Sequence, residues 1–151
     1  MNIHDLSKPE QLEKWSFIWS EARLVIAAVA LLIGGIPVLS ALLPLPALFG
    51  LIRLVLTLSW IISGLASIYL AYRWYTGGRK LFGKQDIKDT TAFFISIITG
   101  VNLGLTGIFG NNPGMSLMSG PGIFRITALV YLIVAVYLYW RWKQSGQRIV
   151  S

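Results

Sequence analysis

Charged residues are nearly missing from two long stretches of this chain. Between Leu24 and Tyr72 the only one is Arg53, and between Lys88 and Arg141 there are two, Asp89 and Arg125. An ordinary soluble domain is about a quarter charged, whereas this 151-residue chain is 13% charged and 55% hydrophobic. Apolar runs of about 20 residues match the hydrocarbon thickness of a bilayer. The expected fold class is therefore an all-α membrane protein with four transmembrane helices and no soluble domain. The expected location is the cell (inner) membrane, with the chain crossing it several times.

The net charge of +7 is not a nucleic-acid footprint. The bases sit at the ends of apolar runs, where they set topology, and no basic groove with interleaved aromatics accompanies them. Cysteine is absent, which removes disulfides, thiolate nucleophiles and cysteine metal ligands. The sole histidine, His4, lies in a polar N-terminal tail. No Ser/His/Asp set, metal cluster, phosphate-cradling loop or close pair of acids is present to carry catalysis. The chain is accordingly expected to be non-enzymatic and to need no cofactor. No cleavable signal peptide is expected, because the first 14 residues are polar.

Taken in order, Ser7-Lys8-Pro9-Glu10 reads as a helix start, with Ser7 as cap and Glu10 three residues on. Leu12, Trp15, Ile18, Trp19 and Ala22 recur at helical spacing and suit an amphipathic segment at headgroup level. The first membrane helix has two registers. Hydropathy favours Leu24 to Leu43, kinked at Pro37; the other, Trp15 to Ile36, draws Glu21 and Arg23 into the bilayer. The first is the expectation, because a central charge costs about 2.5–3.5 kcal/mol on insertion scales. The other helices are expected at about Ala47–Tyr72, Thr91–Phe109 and Ile123–Trp140. Leu43-Pro44-Leu45-Pro46 forms one turn. Gly110 to Gly122 forms another, which Met115, Leu117 and Met118 let dip into the bilayer.

The bases order these segments across the membrane. Lys8, Lys14 and Arg23 precede the first helix. Arg73, Arg79, Lys80, Lys84 and Lys88 flank the central connection, and Arg141, Lys143 and Arg148 follow the last helix. These make eleven of thirteen bases. The positive-inside rule then puts both termini and the central connection in the cytoplasm.

The two halves also resemble each other. Glu13 to Leu42 lies over Asp89 to Met118 without a gap, at an offset of 76. Phe17 meets Phe93, Ser20 meets Ser96, and Gly34-x-x-Pro37 meets Gly110-x-x-Pro113. After two short deletions Arg53 meets Arg125, and Arg73-Trp74 meets Arg141-Trp142. The expected organisation is two parallel-repeat hairpins. Residues 1–80 form the first, with an N-terminal interfacial segment, and residues 81–151 form the second. The alignment places Pro37 opposite the loop residue Pro113. That favours the Trp15–Ile36 register and conflicts with hydropathy.

The candidate sites follow from what is rare in apolar helices. Arg53 and Arg125 are candidates for binding an anion or a lipid headgroup, with snorkelling to phosphates as the simpler account. Glu21 and Asn102 are candidate intramembrane polar groups. Ser59, Ser63 and Ser67 on the second helix, and Gly100, Gly104 and Gly107 on the third, form small-residue ridges that allow close helix packing. The leading expectation for function is a helical packing, scaffold or accessory subunit. The partners expected are the lipid bilayer, anionic lipid at the cytoplasmic face, and a second copy or another membrane protein, with no nucleic acid. The alternatives are a small transporter or channel using Arg53 and Arg125 or Glu21, and a lipid-binding membrane protein. A polar face meeting at a central cavity favours transport, and outward-facing small ridges favour a subunit.

Overall fold

The computed structural model describes residues 8–117 and 120–150. His4, the expected cap Ser7 and Met118 lie outside the described residues. Four long helices dominate: α1 (Pro9–Leu32), α3 (Phe49–Thr76), α4 (Ile87–Phe109) and α6 (Pro121–Gln144). Two five-residue helices, α2 (Val38–Leu42) and α5 (Pro113–Leu117), lie in the connections. The long helices have 24, 28, 23 and 24 residues. At about 1.5 Å per residue each exceeds the ~30 Å hydrocarbon core of a bilayer. All four are apolar enough to cross a membrane. They also keep large apolar side chains outside, among them Ile26, Leu54, Leu65, Ile126 and Val136. An exposed belt of that kind fits lipid and not water.

The boundaries have local causes. Pro9 and Pro121 each sit in the first turn of a helix, where the missing N–H has no helical partner. Asp86 caps α4 by accepting a hydrogen bond from the Lys88 amide at 2.7 Å. The end of α1 corrects the hydropathy register. The helix does not run from Leu24 to Leu43. It begins at Pro9 and stops at Leu32, because Gly34 and Gly35 both take positive φ, +90° and +84°, a conformation L side chains disfavour. Pro37 therefore caps α2 and kinks nothing. The amphipathic segment around Trp15 is not a separate interfacial piece; it is the first half of α1.

All four helix ends on one side carry bases, and this basic end is tightly fastened. The Glu13 carboxylate receives Arg73 Nε and Nη2, both at 2.9 Å. Its other oxygen accepts from the Val150 amide at 2.9 Å. Asp89, fully buried, accepts from Arg141 Nε and Tyr137 OH, each at 2.7 Å. Beyond α3 and α6 the chain pairs briefly with itself, Leu81 opposite Val150, with the Phe82 amide donating to Ile149 O at 2.8 Å. Leu81, Phe82 and Ile149 are buried there with Phe17, Phe93, Leu138 and Trp142 in one core. Phe17 meets Trp142 and Phe82 with ring centroids 5.6 and 6.3 Å apart. This end of the bundle is closed.

The opposite, glycine–proline end is looser. α3 packs most extensively on α4, and α1 on α6, so the two hairpins interlock. α1 and α4 touch through the middle, while among the described residues the backbones of α3 and α6 stay apart. A small core of Ala28, Leu31 and Ala128 joins α1 to α6.

Candidate functional site

The corrected register carries Arg23 into the bundle. It lies about 21 Å along α1 from Pro9 and about 14 Å from Leu32, and it is only 5% exposed. It is therefore not one of the bases that precede the first helix. Nη2 donates to the backbone carbonyl of Ser96 on α4 at 2.8 Å and approaches Ser96 Oγ at 3.3 Å. Nε and Nη1 have no hydrogen-bond partner in the described protein. A buried guanidinium with unused donors is costly, because each donor has given up water for nothing in return. Gly100 makes the room: a Cβ there would lie 2.9 Å from Cζ and Nη1 of Arg23 and would collide with Ser67 Oγ.

Arg23 lines a cleft of about 560 Å³ that reaches from its own level to Gly35, Pro37, Gly110 and Asn112 at the glycine–proline end. The walls are mostly apolar. The polar groups that line the cleft include Arg23, Trp19, Ser63, Thr99, Asn102 and Tyr131. Most of these are already held. Trp19 Nε1 donates to Ser63 Oγ at 2.9 Å, and Ser63 Oγ donates to Ser59 O at 2.7 Å. The Thr99 hydroxyl donates to Ile95 O at 2.8 Å. Asn102 donates to Asn112 Oδ1 at 2.9 Å and accepts from the Gly114 amide at 2.8 Å, so it fastens α4 to the start of α5. Among the described residues that line the cleft, only Arg23 presents buried donors with no protein acceptor. A mostly apolar cleft with one unsatisfied cation deep inside suits an amphiphile whose anionic or acceptor head lies deepest.

Glu21, two residues away, is 7% exposed, and both its oxygens are without a hydrogen-bond partner. It does not line the cleft, because residues i and i+2 of a helix face different ways.

The small residues fall at the α3–α4 contact. A Cβ on Gly64 would lie 2.7 Å from the Cα of Gly104, and one on Gly104 would lie 2.7 Å from the Cα of Gly64. Gly107 faces the Thr57 carbonyl, 3.0 Å from its would-be Cβ. Ser63 and Ser67 are buried, and Ser59 is half-buried on the cleft wall.

Arg53 and Arg125 come together with nothing. Both are exposed near the glycine–proline end, and among the described residues neither has a hydrogen bond or ion pair. The Asn112 side-chain oxygen at the same end is taken by Asn102 Nδ2 and the Met115 amide. The group that sequence reasoning missed is Arg23, read as a base outside the membrane. The signal that pointed to it was the alignment of Pro37 with Pro113, which hydropathy outweighed. In comparisons with known proteins, no family model, curated protein or solved structure matches this chain.

Proposed function

We propose that the chain is a non-enzymatic, multi-pass protein of the inner membrane that binds the anionic head of a small amphiphile in the cleft at Arg23. The observation that carries this reading is a guanidinium, buried near the middle of a membrane-length helix, with Nε and Nη1 unpaired on the wall of a mostly apolar cleft. It joins two of the alternatives drawn from sequence, transport and lipid binding. A scaffold role has less support, because the small residues singled out for packing meet inside the molecule, Gly64 against Gly104.

In this reading both termini are cytoplasmic, so the fastened basic end faces inward and the cleft belongs to the outer half. Arg79, Lys80, Lys84 and Lys88 then sit where anionic lipid is found. Two like hairpins fit the same picture. Glu13 with Arg73 and Asp89 with Arg141 are the same ion pair at aligned positions. Gly34 and Gly110 share positive φ, each preceding a proline and a five-residue helix. Gly78-Arg79 and Gly146-Gln147 leave α3 and α6 through the same pair of positive φ angles.

The test uses octanesulfonate, a permanent anion with a short chain, on the full protein in lipid nanodiscs. A ligand at a hundred times its Kd stabilises by about 2.7 kcal/mol, so the wild type is expected to melt several degrees higher. Octanol, which lacks the charge, gives a smaller shift. Arg23→Gln is expected to lose the response to octanesulfonate. Arg23→Lys, which keeps the charge but not the fork, retains part of it. An equal response in wild type and Arg23→Gln would remove the reading.

A further inference from the structure

Glu21 is the buried charge that amphiphile binding leaves unused. Both its oxygens are enclosed without a partner. An ionised carboxylate in that position is tolerated only if a positive potential supports it. Arg23, buried two residues along the same helix turn, supplies part of that potential through its charge, although among the described residues no ion pair joins them. The surrounding elements offer no substitute. Between their terminal charges, α3 brings only Tyr69 and Tyr72, α6 only Tyr131, Tyr137 and Tyr139, and α4 and α2 bring no titratable side chain. On α1 itself the nearest others are Lys14 and Glu13, a full two turns away, and Glu13 is held by Arg73.

We propose that anion binding in the cleft is coupled to proton uptake, with Arg23 holding the anion and Glu21 the proton. This rests on the binding reading above. Without ligand, and above the pH at which Glu21 ionises, its carboxylate balances the Arg23 guanidinium. An anion that takes the free Nε–H and Nη1–H of Arg23 cancels the field that kept Glu21 ionised. The carboxylate then accepts one proton and becomes the neutral acid. The buried site holds zero net charge before and after, so what enters is an anion and a proton together. Because Glu21 lies off the cleft wall, the two are linked through charge and do not compete for space. The ligand class is therefore an amphiphilic monoanion, taken up with its proton.

The experiment is calorimetric titration of octanesulfonate into wild type in nanodiscs, in two buffers of different ionisation enthalpy. The probe is a strong acid's anion, so any proton taken up belongs to the protein. At alkaline pH, where Glu21 is ionised before binding, about one proton per bound anion is expected, with affinity falling about tenfold per pH unit there; at lower pH the uptake fades. Glu21→Gln imitates the protonated acid and is expected to bind with no proton uptake and a flat pH profile. In wild type alone, infrared difference spectra should gain the C=O band of a protonated carboxyl on binding, which keeps the test decisive if Glu21→Gln fails to fold. Binding without proton uptake even at alkaline pH, or uptake undiminished in Glu21→Gln, overturns the coupling while leaving the cleft as a binding site. No binding of octanesulfonate to wild type overturns both.

Discussion

Two carboxylates at the basic end do the same job under different conditions, and the difference sets what each is worth. Asp89 is fully buried, and Arg141 reaches it from a side chain 20% exposed; Arg73, which holds Glu13, is 32% exposed. Removing one partner of a buried pair strands the other and costs about 3–5 kcal/mol; Glu13 is nearly buried too, at 8%, but the arginine its loss would strand is the more exposed of the two. Asp89→Asn is therefore expected to lower the melting temperature markedly. Glu13→Gln should cost less, because Arg73 can turn to water, although the Val150 amide also loses its charged acceptor. Differential scanning fluorimetry in mild detergent ranks the two directly, and equal losses would contradict the account. The pairing itself could be anticipated, since Glu13 aligns with Asp89 and Arg73 with Arg141. The depth of each pair could not, because it depends on how Tyr137 and Phe82 close over Asp89 and Arg141 while Arg73 stays a third exposed.

The long helices were readable as elements because length and charge-free composition suffice. Only the register of α1 was not. Hydropathy compares a segment with lipid alone, and on that scale Leu24–Leu43 wins. What decides is partly local, the two left-handed glycines at 34 and 35, and partly remote. Arg23 is accepted at depth because the carbonyl of Ser96, 73 residues later, receives its Nη2. A distant acceptor of that kind leaves no mark on a hydropathy window, and the cleft beside it leaves none either. The α3–α4 contact is tighter than a small-residue pattern alone requires. At Gly104 a side chain would meet the backbone of Gly64, so the helices have to part. Gly104→Leu is expected to destabilise by at least the ~1–3 kcal/mol typical of overpacking. Gly50→Ala, whose Cβ meets nothing within 4 Å, should fall within about 0.5 kcal/mol of wild type. Thermal unfolding of both variants checks this, and an unchanged Gly104→Leu would mean the interface is absent in the membrane.

Across the whole molecule the arrangement is asymmetric: fastened and sealed at the basic end, open toward the other. Reporter fusions placed after Lys84 and after Val150 are expected to report the cytoplasm, and one at Asn112 the opposite side, following the distribution of bases. A cytoplasmic signal at Asn112 would invert the proposed direction of the cleft. The hydrogen bond from Arg23 to Ser96 also bears on how the protein is made. While the ribosome has produced only the first hairpin, α1 carries an arginine at bilayer depth for which no acceptor yet exists. That intermediate is costly at its centre, so α1 should linger toward the surface, Trp15 and Trp19 in the headgroups, until α4 emerges and offers its carbonyl. Of the four helices, α1 is then the one made earliest and yet among the last to reach its final depth.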